Sequence, residues 1–161
     1  MTNPILRIGL ISDTHGLLRP EAEAFLLGCD RIVHAGDIGH ADILQRLAAI
    51  APVTAVRGNN DVGAWAEEIR ESELLEIGGV CLHVIHDLAQ LDIDTAASNV
   101  QVVVSGHSHK PLVVERQGIL FVNPGAAGPR RFKLPVSAGE WLIDRDGSFS
   151  ARTVELQLEP R

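Results

Sequence analysis

Cysteine is nearly absent. Cys29 and Cys81 are the only two in 161 residues, they lie beside or inside apolar runs, and they lack a paired spacing such as C-x-x-C. The core must therefore form without a disulfide framework, and both thiols are expected to be reduced and buried. Aromatic residues make up 4% of the chain. Trp65 and Trp141 have no aromatic neighbours that would form a base-stacking platform, so both read as packing residues. Positive charge is also short: 14 Lys and Arg against 21 Asp and Glu leave a net charge of −7. That balance argues against a nucleic-acid polymer, and so against a nuclease, and equally against an anionic lipid surface. An anionic substrate would need a local positive charge. No apolar run approaches the roughly 18 residues of a membrane span, and Met1–Pro4 carries no basic leader, so the expected location is the cytoplasm.

What the chain does have is 45% hydrophobic and 22% charged residues. A chain of this length buries roughly 68–70% of its unfolded surface, enough for a core without a structural metal. One globular domain is expected over 1–158, followed by a short tail at 159–161. The first third alternates strands (Ile5–Ile11, Arg31–Ala35, Val53–Arg57) with helices (Pro20–Gly28, Asp42–Ile50). The first helix has proline at its start, acid in its first turn and glycine at its stop; the second places Ile43, Leu44, Leu47 and Ile50 on one face. This β-α-β-α-β order implies parallel strands joined by right-handed crossovers.

The second half reads mostly as strands. Leu74–Ile77 and Val80–Ile85 flank Gly78-Gly79, a hairpin signal. A short helix is expected over Leu88–Ala97, then a strand at Val100–Val104. Two further hairpins turn at Gln117-Gly118, within Leu112–Val122, and at Asp146-Gly147, within Gly139–Leu158, where Val154, Leu156 and Leu158 alternate inward. The stretch Asn123–Pro135 reads as a long surface loop.

Four of the seven histidines fall in loops directly after expected strands, together with Asp, Asn and Gly. In open α/β sheets the loops at the carboxyl ends of the strands converge on one crevice. The candidates are Asp13 and His15 in Ser-Asp-Thr-His-Gly, Asp37 in Ala-Gly-Asp, Asn59 in Gly-Asn-Asn-Asp, His86 in Ile-His-Asp, and His107 and His109 in Gly-His-Ser-His. Two carboxylates, one amide and four imidazoles, with no thiolate, suit divalent ions such as Mn²⁺, Fe²⁺, Zn²⁺, Co²⁺ or Ni²⁺. Seven ligands are too many for one ion; shared between two ions about 3.5–4 Å apart they leave positions for water, as two-metal hydrolysis requires. Two such ions with two aspartates would retain positive charge inside an acidic protein, and that charge could recruit a phosphate.

Taken in order, Asp13-x-His15, Gly36-Asp37, Gly58-Asn59, His86 and Gly106-His107-Ser108-His109 resemble the calcineurin-like metallophosphoesterases, and in particular their small single-domain bacterial and archaeal phosphodiesterases. The Asn123-Pro124-Gly125 segment and the Pro-Arg loop after it are similar too, so the resemblance covers nearly the whole chain. It implies a four-layer α/β/β/α sandwich with a binuclear metal centre at the strand ends. By motif, Asp13, His15 and His109 would hold one ion, Asn59, His86 and His107 the other, and Asp37 would bridge them. Mn²⁺ is the expected metal, and Ni²⁺, Co²⁺, Fe²⁺ or Zn²⁺ would serve. The implied reaction is hydrolysis of a small phosphate ester, a diester rather than a monoester, by a metal-bridging hydroxide.

Two positions depart from that pattern. Many relatives carry His after the metal-binding Asn, where this chain has Asn60; an amide can donate to a phosphate oxygen but cannot act as a general acid. Asp87 follows His86 where relatives frequently have Gly. Other polar residues have plainer readings. His34 and His83 lie within strands and read as buried or supporting histidines; Arg130 and Arg131 read as exposed loop arginines, although guanidinium suits a phosphate. His40, at a helix start near Asp37, is open between a substrate contact and no role. Asp61 is either an acceptor for Asn60 or His86 or a turn residue, and Asn123 shapes its Asn-Pro-Gly turn. The rival function is a scaffold that keeps the fold and binds partners, as the related retromer subunit does in eukaryotes. Hairpin edges make a homodimer or higher oligomer an open expectation.

Overall fold

The computed structural model describes residues 4–91 and 99–160, with the backbone alone for Pro4 and Ile5. Its strands are β1 (Pro4–Ile11), β2 (Arg31–His34), β3 (Val53–Ala55), β4 (Ser72–Ile77), β5 (Val80–Ile85), β6 (Val102–Val104), β7 (Leu112–Arg116), β8 (Ile119–Asn123), β9 (Ser137–Asp144) and β10 (Phe149–Glu155). Its helices are α1 (Pro20–Leu26), α2 (Ala41–Ala48) and α3 (Ala64–Glu67). Two five-stranded sheets form, in the orders β10-β9-β1-β2-β3 and β4-β5-β6-β8-β7. In the first, β1, β2 and β3 are parallel, and β9 and β10 close it as an antiparallel hairpin. In the second, β5, β6 and β8 run parallel between two antiparallel edges.

Side-chain alternation packs the sheets face to face. Ile8 and Leu10 from β1 meet Leu82 and Val84 from β5, Val102 and Val104 from β6, and Trp141 from β9 in one buried cluster. The opposite face of the first sheet receives α1 and α2, through Ala22, Leu26, Ile43 and Leu47. Gly9 makes that approach close: a Cβ there would collide with Leu26 and come within 2.9 Å of Cys29 Sγ. The outer face of the second sheet carries a third cluster, Ile85, Val100, Val103 and Ile119, with Leu88, Leu91 and Phe121 against it. The result is the expected α/β arrangement of two stacked sheets with helices outside.

Three expectations need correcting, and one element was missed. The helix placed over Leu88–Ala97 is a single 3-10 turn, Leu88–Gln90, that stops at an extended Leu91; positions 92–98 lie outside the described residues. Helix α3 was not legible in the sequence, being four residues long. The segment Asn123–Gly128 is buried, not a surface loop: Ala127 N–H donates to the Ser12 carbonyl at 3.0 Å and Ala126 bridges to Val136. Only 129–133 are exposed. Cys29 is buried and Cys81 only half-buried, both free. Among the described residues, no helix is long and apolar enough to cross a membrane.

Candidate metal centre

Strands β1, β2, β3, β5 and β6 each deliver their candidate residues in the loop just past their carboxyl end. These loops turn sharply. Asp13, His15, Asp37, His107 and His109 all have left-handed backbone, φ between 46° and 71°. Left-handed residues other than glycine are uncommon and concentrate at functional sites, where surrounding structure holds them. Here the turns aim Asp13, His15 and His109 at one point and send His107 toward Asn59 and His86.

Glycines bring the loops together. A Cβ on Gly36 would come within 2.6 Å of His86 Nδ1; one on Gly58 would collide with Asp37; one on Gly106 would collide with Ser12 Oγ and lie 2.7 Å from Asp13 Oδ2. Only glycine leaves room for the carboxylates and imidazoles at those three contacts.

Asp13, Asp37, His86 and His109 are buried, and His15 is partly exposed. His109 Nε2 lies 3.3 Å and His15 Nε2 3.6 Å from Asp13 Oδ1, and the two nitrogens are 3.4 Å apart. His86 Nε2 lies 3.2 Å from Asp37 Oδ2 and 4.0 Å from Asp13 Oδ1. Asn59 and His107 stand more exposed, with Asn59 Oδ1 3.2 Å from His107 Nδ1, and the His107 ring packs edge-on to His86 at 5.2 Å. The seven candidates thus gather as an inner group of five, four of them buried, and an outer pair. Ligand atoms of Asp13, His15 and His109 lie within 4.8 Å of one another, as do those of Asp13, Asp37 and His86.

Hydrogen bonding shows what this cluster lacks. His86 Nδ1 lies 2.7 Å from the Ala35 carbonyl, which accepts only from an N–H, so in the neutral ring Nε2 presents a lone pair to two carboxylates. His86 Nε2 and Asp13 Oδ1 are both buried without a hydrogen-bond partner. Converging acceptors of this kind are costly unless a proton or a cation sits between them. Protons can serve. Asp13 raises the pKa of His15 through a direct contact, against the effect of burial. At His86 burial is outweighed by Asp37 and Asp13, and the pKa again rises. Burial disfavours the Asp13 carboxylate, yet His109, His15 and Ser12 hold it well below the usual carboxylate range; at Asp37 burial is likewise outweighed by His86 and Asn60, and the pKa is lowered. A divalent cation with nitrogen and oxygen ligands fits the same atoms without requiring any histidine to be charged.

Neighbouring residues fix the loops. Asn60 donates through N–H to Asp37 Oδ1 at 2.8 Å and through its side-chain amide to Oδ2 at 3.0 Å. Asp61, buried, accepts from the backbone of Ile38, Gly39 and Gly58, not from Asn60 or His86. Asn123 accepts from Gly125 N–H in its own turn and also donates to the Gly106 carbonyl and Ser108 Oγ. His34 is fully buried: its Nδ1 accepts from Gly36 N–H, so its Nε2–H donates to Thr14 Oγ1, which donates to the Ile38 carbonyl. Burial pushes its pKa down to about 4. His40 caps α2, accepting from Asp42 N–H, with its ring mostly in solvent. Arg130 and Arg131 are exposed, and the charge of Arg131 reaches His15, where it opposes protonation.

A sequence profile of the calcineurin-like phosphoesterase superfamily domain matches residues 6–143. The chain is 37% identical over 132 residues to a probable metallophosphoesterase of Methanothermobacter thermautotrophicus, covering 74% of this chain and 76% of that protein. It is 26% identical over 138 residues to a phosphodiesterase of Methanocaldococcus jannaschii, covering 74% and 83%. Among solved structures, vacuolar protein sorting 29 from Cryptosporidium parvum superposes with a TM-score of 0.75 at 20% identity, over 97% of this chain and all of that one.

Proposed function

Because the chain belongs to the calcineurin-like phosphoesterase superfamily, we propose that it is a metal-dependent phosphodiesterase working at a binuclear centre. The observation that carries this reading is the meeting of the unpartnered His86 Nε2 and Asp13 Oδ1 with Asp37, His15 and His109. Asp13, His15 and His109 would hold one divalent ion, Asn59, His86 and His107 the other, and Asp37 both. Mn²⁺ is the first choice, with Ni²⁺, Co²⁺, Fe²⁺ and Zn²⁺ compatible with the same ligands. When bound, the ions supply Lewis-acid activation of water and positive charge for the phosphoryl oxygens.

This chain's own residues supply the rest. The Ala35 carbonyl fixes the His86 tautomer, and Asn60 and Asp61 fix Asp37 and its loop. Arg131, whose charge is felt at His15, would offer a guanidinium to the incoming phosphate. Asn60 aims one amide N–H at Asp37 and has a second for a phosphoryl oxygen; with no acidic proton at that position, esters with good leaving groups, such as aryl diesters, would be favoured over alkyl monoesters. The relative in M. jannaschii named as a phosphodiesterase supports the diester choice.

The test is hydrolysis of an aryl phosphodiester and the matching monoester by chelator-stripped protein with Mn²⁺ restored, beside Asp37→Asn. Metal-dependent diester turnover is expected, reduced at least ~100-fold by the substitution. The likeness to vacuolar protein sorting 29 favours one alternative, a partner-binding scaffold. Inert protein with every divalent ion, and no Mn²⁺ binding by calorimetry, would overturn the enzymatic reading and turn the search to a protein partner.

A further inference from the structure

Next to His107, on the outer face of the second sheet, the structure holds a cavity of about 420 Å³, within the size range of small-molecule sites. Phe121, Leu88, Pro111 and Leu112 give it apolar walls, and Lys110 stands at its edge. A second cavity, about 280 Å³, lies over Asn59 and His86 with Arg57 on its rim. Both are bounded by Asp87 and His107, whose Oδ2 and Nε2 lie 3.9 Å apart. The polar room and the apolar room therefore share one wall, and that wall contains a candidate metal ligand.

From this juxtaposition we infer that the apolar cavity is the seat of the ester arm that stays on phosphorus, and that this arm carries an aromatic ring. The inference rests on the phosphodiesterase reading. A diester at the metal centre must place two substituents; the polar room suits the phosphoryl group, and the cavity beyond His107 suits a flat apolar group. Phe121 offers a ring to pack on, and Leu112, 48% exposed, is an uncovered apolar surface that such a ring would remove from water. The Lys110 backbone N–H donates to Ser108 Oγ, which Asn123 in turn anchors, so the main chain that carries this lysine is fixed beside the cavity. Its ammonium suits an acceptor on the ring or the neighbouring phosphoryl charge, in a chain otherwise rich in negative charge.

Two measurements decide it. Turnover is compared for 4-nitrophenyl phenyl phosphate and 4-nitrophenyl methyl phosphate, which share a leaving group and differ in the second arm. The expected kcat/KM ratio is at least tenfold in favour of the phenyl ester, falling to about twofold in Leu112→Ser and in Phe121→Ala. Independently, diphenyl phosphate and dimethyl phosphate are titrated into the full-length Zn²⁺-loaded protein, following backbone amides by NMR. Diphenyl phosphate should bind at least tenfold more tightly and perturb 105–112 and 121–123. Equal turnover of the two esters, or perturbation confined to the loops at 13–16, 37–39 and 58–61, would overturn the inference while leaving the phosphodiesterase reading intact. Perturbation of the cavity with no turnover of either ester would support the cavity and overturn the hydrolytic reading.

Discussion

Asp61 is a buried carboxylate with three backbone donors: Ile38 N–H at 3.1 Å, Gly39 N–H at 2.9 Å and Gly58 N–H at 2.9 Å. It ties the loop that carries Asp37 to the loop that carries Asn59. Removing it leaves buried N–H groups without an acceptor, so Asp61→Ala is expected to cost about 3 kcal/mol, and Asp61→Asn, which keeps one oxygen, less. Urea unfolding at unchanged m would measure both, and a loss under 1 kcal/mol for the alanine variant would show that the clamp is replaceable. Its role could not be read from the sequence, because its main partners are 22 and 23 residues away and Asn-Asn-Asp looks the same as a solvent-exposed turn. The chemical identity of the candidate ligands was legible, since His, Asp and Asn after strands are conspicuous. Their left-handed backbone was not: glycine advertises a positive φ, but Asp13, His15, Asp37, His107 and His109 do not.

At the level of elements, β-α-β-α-β order and three hairpins were legible because the periodicities that specify them are local. What failed was whatever depended on distant pairing. Asn123–Gly128 has the Gly-Pro composition of a surface loop, yet its backbone is satisfied inside the protein by Ser12 and Ser137. The loop after β6 shows how tightly such elements are matched. Gly106 has no positive φ, so only space restricts it, and that space belongs to Ser12 Oγ and Asp13 Oδ2. Asp13 cannot easily retreat, because Oδ2 already accepts from Ser12 Oγ at 2.7 Å and His107 N–H at 3.1 Å. Gly106→Ala is therefore expected to displace Asp13 or the His107–His109 loop and to weaken Mn²⁺ binding ten- to hundredfold, with the circular dichroism spectrum retained. Calorimetric titration reads this directly; unchanged affinity would mean that Asp13 is not a ligand or that the loop yields without moving it.

Across the whole molecule, the balance of acidic and histidine side chains makes stability depend on pH, and His34 isolates one part of that dependence. Its ordinary pKa of 6.5 falls to about 4 in the fold, because burial excludes the charged form and its Nδ1 is committed as an acceptor from Gly36 N–H. Between those two values the unfolded chain holds a proton that the folded chain refuses. The stabilisation is thus complete above pH 6.5 and is lost as pH drops toward 4, with a slope of up to about 1.4 kcal/mol per pH unit and about 3 kcal/mol in all. His15 and His86 act in the opposite sense in metal-free protein, since their raised pKa values add stability in acid that is lost as pH rises. The net curve of the wild type therefore cannot assign the effect, and the comparison must be with His34→Gln, which keeps a polar side chain but does not titrate. Chemical unfolding of both proteins, metal-free, at several pH values should show the wild type losing stability relative to the variant as pH falls from 6.5 to 4. Parallel curves would mean that His34 accepts its proton in the folded state, which would break its bond from Gly36 and loosen the turn on which Asp37 is carried.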